Sequence, residues 1–110
     1  MIYKKWDIIL VSFPFTDLKS SKMRPALIIS PDEYNRNTDL VIAFITSKLD
    51  GEYRIGDYKI ENWGQAGFPK PSMLRMKFAT IDKAIVRKSL GRLQNIDIIN
   101  FKKEILSFFS

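Results

Sequence analysis

Apolar positions along the chain fall into short blocks separated by polar or Gly/Pro-containing stretches. Residues 7–13 (DIILVSF) are rich in β-branched and aromatic types and stop at Pro14, which suits a first strand. A polar stretch (TDLKSSKM) then delivers Arg24 to the run PALII, residues 25–29, whose lack of alternation predicts a strand buried on both faces. Ser30 offers a helix start as N-cap, with Pro31 at the first helical position and Glu33 closing a capping box, and Asn35 and Asn37 keep that helix short. Residues 40–45 (LVIAFI) predict another buried strand, ending at Thr46-Ser47-Lys48. Asp50-Gly51 marks a turn, and Tyr53 to Ile60 alternates as an exposed strand or hairpin arm. Gly64 to Pro71, with two glycines and two prolines, reads as a loop, and residues 72–78 and 84–87 as further strands. Asn95 is placed to cap a last helix in which Ile98, Phe101, Ile105 and Phe109 recur at helical spacing. The expected fold is mainly β (α+β): an antiparallel, partly closed sheet or small barrel with a short helix after Ser30 and a C-terminal helix. Strict βα alternation is missing, which argues against a doubly wound fold.

The 110 residues fit one domain, residues 1–110. With neither cysteine nor histidine, the chain has no disulfide, no thiolate zinc site and no cysteine nucleophile, and it lacks the most frequent general base. No cofactor or metal site is expected. The apolar run after Lys4 and Lys5 is short and interrupted by Asp7, so neither a signal peptide nor a membrane span is expected, and the reading is a cytoplasmic protein.

Charge placement changes the picture further. Of the net +6, residues 70–92 alone carry +6, whereas residues 25–69 carry −3. Such a basic stripe attracts polyanions, and nucleic acid is the obvious candidate, although a solvated basic face has the same composition.

No Gly-rich phosphate loop, serine elbow or metal-spaced carboxylate cluster is present. Two polar clusters at strand boundaries remain. Arg24, directly before a proline and an apolar strand, is placed to hold a planar guanidinium against phosphate, a role its high pKa suits better than that of a base. By position alone a structural salt bridge or a solvated strand-end charge is the commoner role for an arginine. Thr46 and Ser47 can donate to a phosphate oxygen, or can satisfy a local turn. Arg75 and Lys77 occupy alternate positions of a strand and share a face, with Met73 on that side. Trp63 and Phe68 flank the Gly/Pro loop, where aromatics either stack on unpaired bases or plug a core.

In order, the blocks DIILVSFPFTD, RPALIISPDEYN, VIAFITS, PSMLRMKFATIDK and LGRL span nearly the whole chain, and together they resemble the MazF/PemK family of toxins from bacterial toxin–antitoxin pairs. The resemblance implies a small SH3-like barrel, a homodimer, and metal-independent cleavage of single-stranded RNA at short motifs by 2′-hydroxyl attack, leaving a cyclic phosphate and a 5′-hydroxyl. It further implies a cognate antitoxin as partner. It makes Arg24 and Thr46 catalytic, and it places Lys19, Lys22, Ser47, Arg75 and Lys77 on the RNA. The chain departs from relatives that carry an acidic loop residue or Arg-x-Asp in the later strand, having Lys19 and Arg75-Met76-Lys77 instead, and Asp17 and Lys22 are the nearest groups for proton transfer. A non-catalytic gyrase-inhibiting toxin of the CcdB kind and a plain nucleic-acid-binding module are the alternatives.

Overall fold

Six strands form one antiparallel sheet in the order β4-β5-β3-β2-β1-β6. The computed structural model describes residues 2–14 and 21–110. Strand β1 (Asp7–Pro14) pairs with β2 (Ser21–Ile28), and after a short helix, α1 (Asp32–Asn35), β3 (Asp39–Thr46) lies on the other side of β2. A two-residue strand, β4 (Tyr58–Lys59), and a single turn of helix, α2 (Trp63–Ala66), precede the long β5 (Met73–Asp82). A 3-10 turn (Lys83–Ile85) leads into β6 (Val86–Arg92), and the chain closes with α3 (Asn95–Phe109).

The runs that do not alternate are buried on both faces of the sheet. On one face Ile8, Leu27, Ala43, Ile45 and Leu74 form a core. On the other, Ile9, Val11, Ala26, Ile28, Ile42 and Ile81 form a second. Successive strand residues point to opposite faces, so a central strand between two cores must be apolar at every position. Helix α3 covers the first face, with Phe101 fully buried and Ile98 and Ile105 packed beside it.

A buried carboxylate ties that helix down. Asp97 accepts hydrogen bonds from the Tyr58 hydroxyl and from the backbone N–H groups of Glu61 and Asn62, at 2.5, 2.8 and 3.0 Å. Burial, and then the bond to Asp97, push the Tyr58 hydroxyl pKa up from 10.0 to about 12. The two outer strands, β4 and β6, do not pair. The C-terminal end of α2 bridges the gap instead: a Cβ on Gly91 would stand 2.0 Å from the Ala66 carbonyl oxygen, so the backbones touch.

Several local expectations change. Ser30 does not cap α1. Pro31 takes the N-cap position, and no side chain bonds the helix start. The Ser30 hydroxyl is buried and donates to Asn35 Oδ1 while accepting from the Val41 N–H at 3.0 Å, so it ties α1 to β3. The arm expected over Tyr53 to Ile60 shrinks to β4. Asp57 folds back on Arg54, its backbone N–H bonding the Arg54 carbonyl and its carboxylate accepting from the Arg54 N–H, and Gly56 takes a φ of 91°. That turn interrupts any strand. Helix α2 occupies part of the expected loop and ends at Gly67, whose φ of 108° is a left-handed C-cap. Asn95 is the first residue of α3, and the Gln94 side chain before it forms no capping bond. Phe109, expected on the inner face, is largely exposed because α3 outruns the core. Met73, expected beside the exposed face of Arg75 and Lys77, is buried opposite Thr46. Among the described residues no helix is long and apolar enough to cross a membrane.

Candidate functional site

Strand register brings the two strand-boundary clusters together. Ala26 pairs with Phe44, and both strands run two residues further in opposite directions, so Arg24 and Thr46 arrive at the same end of the sheet. Alternation then sets Arg24 on the face of Ala26 and Ile28, and Thr46 on the face of Ile42. Residues far apart in sequence become neighbours because their strands are.

On that face the apolar core stops short of the sheet end. Beyond it lies an open groove of about 510 Å³ lined by Phe13, Phe44, Arg24, Thr46, Arg75 and Lys77, together with Lys48 and Arg54. On the opposite face a second groove, about 500 Å³, is lined by Lys22, Ser47, Lys70 and Lys88 over a floor that includes Phe68 and Leu90. Arg24, Ile45, Thr46 and Lys48 border both grooves. The expected catalytic pair therefore stands where the two grooves meet.

The details suit an anion. Thr46 Oγ1 accepts from the Lys48 backbone N–H at 3.1 Å, the local turn bond its position suggests, and this leaves the hydroxyl hydrogen available to donate. Arg24 is half-buried, and among the described residues no carboxylate forms an ion pair with it. Phe13 and Phe44 stack with ring centroids 5.3 Å apart, and Lys77 Nζ sits 5.1 Å from the Phe44 ring. Arg75 is held from behind: its Nη2 donates to the Glu52 carbonyl at 3.4 Å and its Nη1 lies 3.7 Å from the buried Asp57 carboxylate. Among the described residues no group of three His, Cys, Asp or Glu side chains could hold a metal ion.

Of the expected RNA-contacting residues, Lys22, Ser47, Arg75 and Lys77 line the grooves, while Lys19, like Asp17, lies outside the described residues. The basic stripe divides. Lys70, Arg75, Lys77 and Lys88 reach the grooves, whereas Arg92 turns away to pair with Asp7 at 3.1 Å and Lys83 sits over the Tyr3 ring. Phe68 is buried and Trp63 half-buried against the core, so neither is free to stack on a base. The site also contains Phe13, Phe44, Lys48 and Arg54, which sequence reasoning did not assign. The first two form the ends of apolar strands, and the last two come from the segment whose net charge is negative. A rule that polar chemistry gathers at strand ends would have found Lys48. Arg54 carries no such signal.

A family model described as PemK-like, MazF-like toxin of type II toxin-antitoxin system matches residues 4–109. Comparison with curated proteins finds no match. Among solved structures, the fold is similar to MazE–MazF from Deinococcus radiodurans, with a TM-score of 0.77 and 16% identity over 99% of this chain and 97% of that one. It is similar to an endoribonuclease in complex with its cognate antitoxin from a mycobacterial species, at 0.76 and 13% over 96% and 92%. A third, the Mycobacterium tuberculosis toxin MazF-mt6, gives 0.70 and 17% over 92% and 95%.

Proposed function

Since the chain belongs to the PemK-like, MazF-like toxin family of type II toxin–antitoxin systems, we propose that it cuts single-stranded RNA at the junction of the two grooves. The observation that carries this reading is the meeting of Arg24 and Thr46 at one sheet end, bordered by basic side chains on both faces.

Single-stranded RNA offers both a spaced row of phosphates and, beside each, an internal nucleophile. The 2′-oxygen attacks the adjacent phosphorus, the bond to the 5′-oxygen breaks, and the products are a 2′,3′-cyclic phosphate and a free 5′-hydroxyl. In this step one proton leaves the 2′-oxygen and one reaches the 5′-oxygen. Negative charge builds on the non-bridging oxygens in between. Arg24 supplies paired donors to that charge, and the Thr46 hydroxyl supplies a third. Arg75, Lys77, Lys22 and Ser47 hold the flanking chain. DNA lacks the nucleophile and is bound without being cut.

A cognate antitoxin is the protein partner. An acidic, extended segment suits the basic grooves and would exclude RNA by occupying them. The protein acts in the cytoplasm and as a homodimer, and the dimer is supported by the apolar side chains of Ile99, Leu106 and Phe109 left exposed on α3.

The test is cleavage of a long single-stranded RNA and a matching DNA in excess EDTA by the wild type, Arg24→Ala and Thr46→Ala, with the cut ends mapped. Discrete RNA cuts bearing 5′-hydroxyl ends are expected from the wild type. Loss of a charge-stabilising donor lowers the rate by about 10²- to 10³-fold in each variant. Intact RNA from a folded, growth-inhibiting wild type would sink the nuclease reading and turn attention to gyrase.

A further inference from the structure

We propose that Asp57 is a positioning residue for the RNA site, acting through Arg75; this rests on the RNA-binding role proposed above for the groove. Asp57 touches no substrate in this scheme. It holds the guanidinium that does.

The need for such a support comes from the backbone. Along the β3–β5 ladder, Ala43 pairs with Phe78 and Ile45 with Leu74, so the single residue Phe44 faces three on β5: Arg75, Met76 and Lys77. This is a bulge, and the residues in it lack the regular ladder that would otherwise fix their direction. Two of the three line the groove. Their aim must be set by something other than the sheet.

For Arg75 that something is the turn over residues 54–57. Gly56 adopts a φ of 91°, and a Cβ there would come within 2.5 Å of Met76 Cγ, so the turn is seated directly on the bulge. Seating places Asp57 behind Arg75. The Asp57 side chain is 1% exposed and that of Arg75 15%, and the closest approach between their charged atoms is 3.7 Å. Asp57 Oδ2 is engaged by the Arg54 N–H at 2.8 Å, whereas Asp57 Oδ1 and Arg75 Nη1 are buried with no hydrogen-bond partner among the described residues.

A pair built only for stability should spend its buried polar atoms, because each one left over is costly. This pair does not. Its geometry is that of a negative charge parked behind a cation, drawing one edge of the guanidinium inward while the side chain still borders the groove. The same carboxylate offsets the repulsion among Arg24, Lys48, Arg54, Arg75 and Lys77 when no polyanion is present.

The experiment measures binding of a fluorescent, fully 2′-O-methylated single-stranded RNA across a salt series, and cleavage of the all-ribose RNA, for wild type, Asp57→Asn, Arg75→Gln and the double variant. Melting temperature is recorded for each. Loss of one phosphate contact lowers the slope of log affinity against log salt by about 0.7 on single strands, and this drop is expected in both single variants. The double variant should be no worse than Arg75→Gln alone, since Asp57 has nothing left to aim. Cleavage should fall about tenfold or more in each and recover in part in Asp57→Glu.

An Asp57→Asn effect that persists in full beside Arg75→Gln, or a wild-type slope in Arg75→Gln, would overturn the proposal. The second of these holds even if Asp57→Asn fails to fold. A wild type that binds the methylated RNA yet leaves ribose RNA whole would defeat the nuclease reading, with the role of Asp57 still decided by the slopes.

Discussion

Phe101 and Asp97 show how far single residues govern this molecule. Phe101 is fully buried where α3 meets the sheet, so Phe101→Ala removes a ring and leaves a cavity. A loss of about 3–5 kcal/mol is expected in urea unfolding. Asp97, four residues earlier, does polar work beside it by gathering the Tyr58 hydroxyl and two backbone N–H groups. Because the folded-state pKa of Tyr58 is raised from 10.0 to about 12, its neutral form is favoured by folding. The stability this contributes is fully present below pH 10.0 and is lost as pH rises toward about 12. Unfolding free energy measured across that window should fall more steeply for wild type than for Tyr58→Phe, and parallel curves would contradict the assignment.

Between elements, the decisive contacts are backbone against backbone. Strands β4 and β6 leave the sheet open, and α2 closes the gap by resting on β6 at Gly91. Gly91→Ala forces these backbones apart, and a loss of at least about 1–3 kcal/mol is expected from overpacking, read as a lowered melting temperature. Phe68, from the segment after α2, and Leu90 on β6 both floor the second groove, so RNA binding should weaken as well. Element positions were largely legible from hydrophobic blocks: LVIAFI and all of PALII but its last residue, Ile29, lie in strands buried on both faces, as their lack of alternation implied. Element ends were less so. Ser30 has the right chemistry to cap α1 but bonds Asn35 and Val41, because β3 lies close enough to compete for its hydroxyl.

At the scale of the whole molecule, charge is sorted by the fold. Both grooves collect basic side chains, and Asp57, the carboxylate beside Arg75, is turned inward. RNA affinity should therefore drop steeply with salt, and an independent sizing measurement should find twice the chain mass if the exposed apolar positions of α3 pair in a dimer. The sequence by itself determined where the central strands run and that no thiol or imidazole chemistry is open. These follow from local composition and from residues near one another along the chain. Only the tertiary structure decided which charges serve the groove. Lys48 and Arg54 come from a segment that is acidic in sum, Lys83 and Arg92 leave a stripe that is basic in sum, and Asp57 finds Arg75 across a turn and a bulge. Strand register, a left-handed glycine and a ladder irregularity set those meetings, and none of them is written in the spacing of the residues that meet.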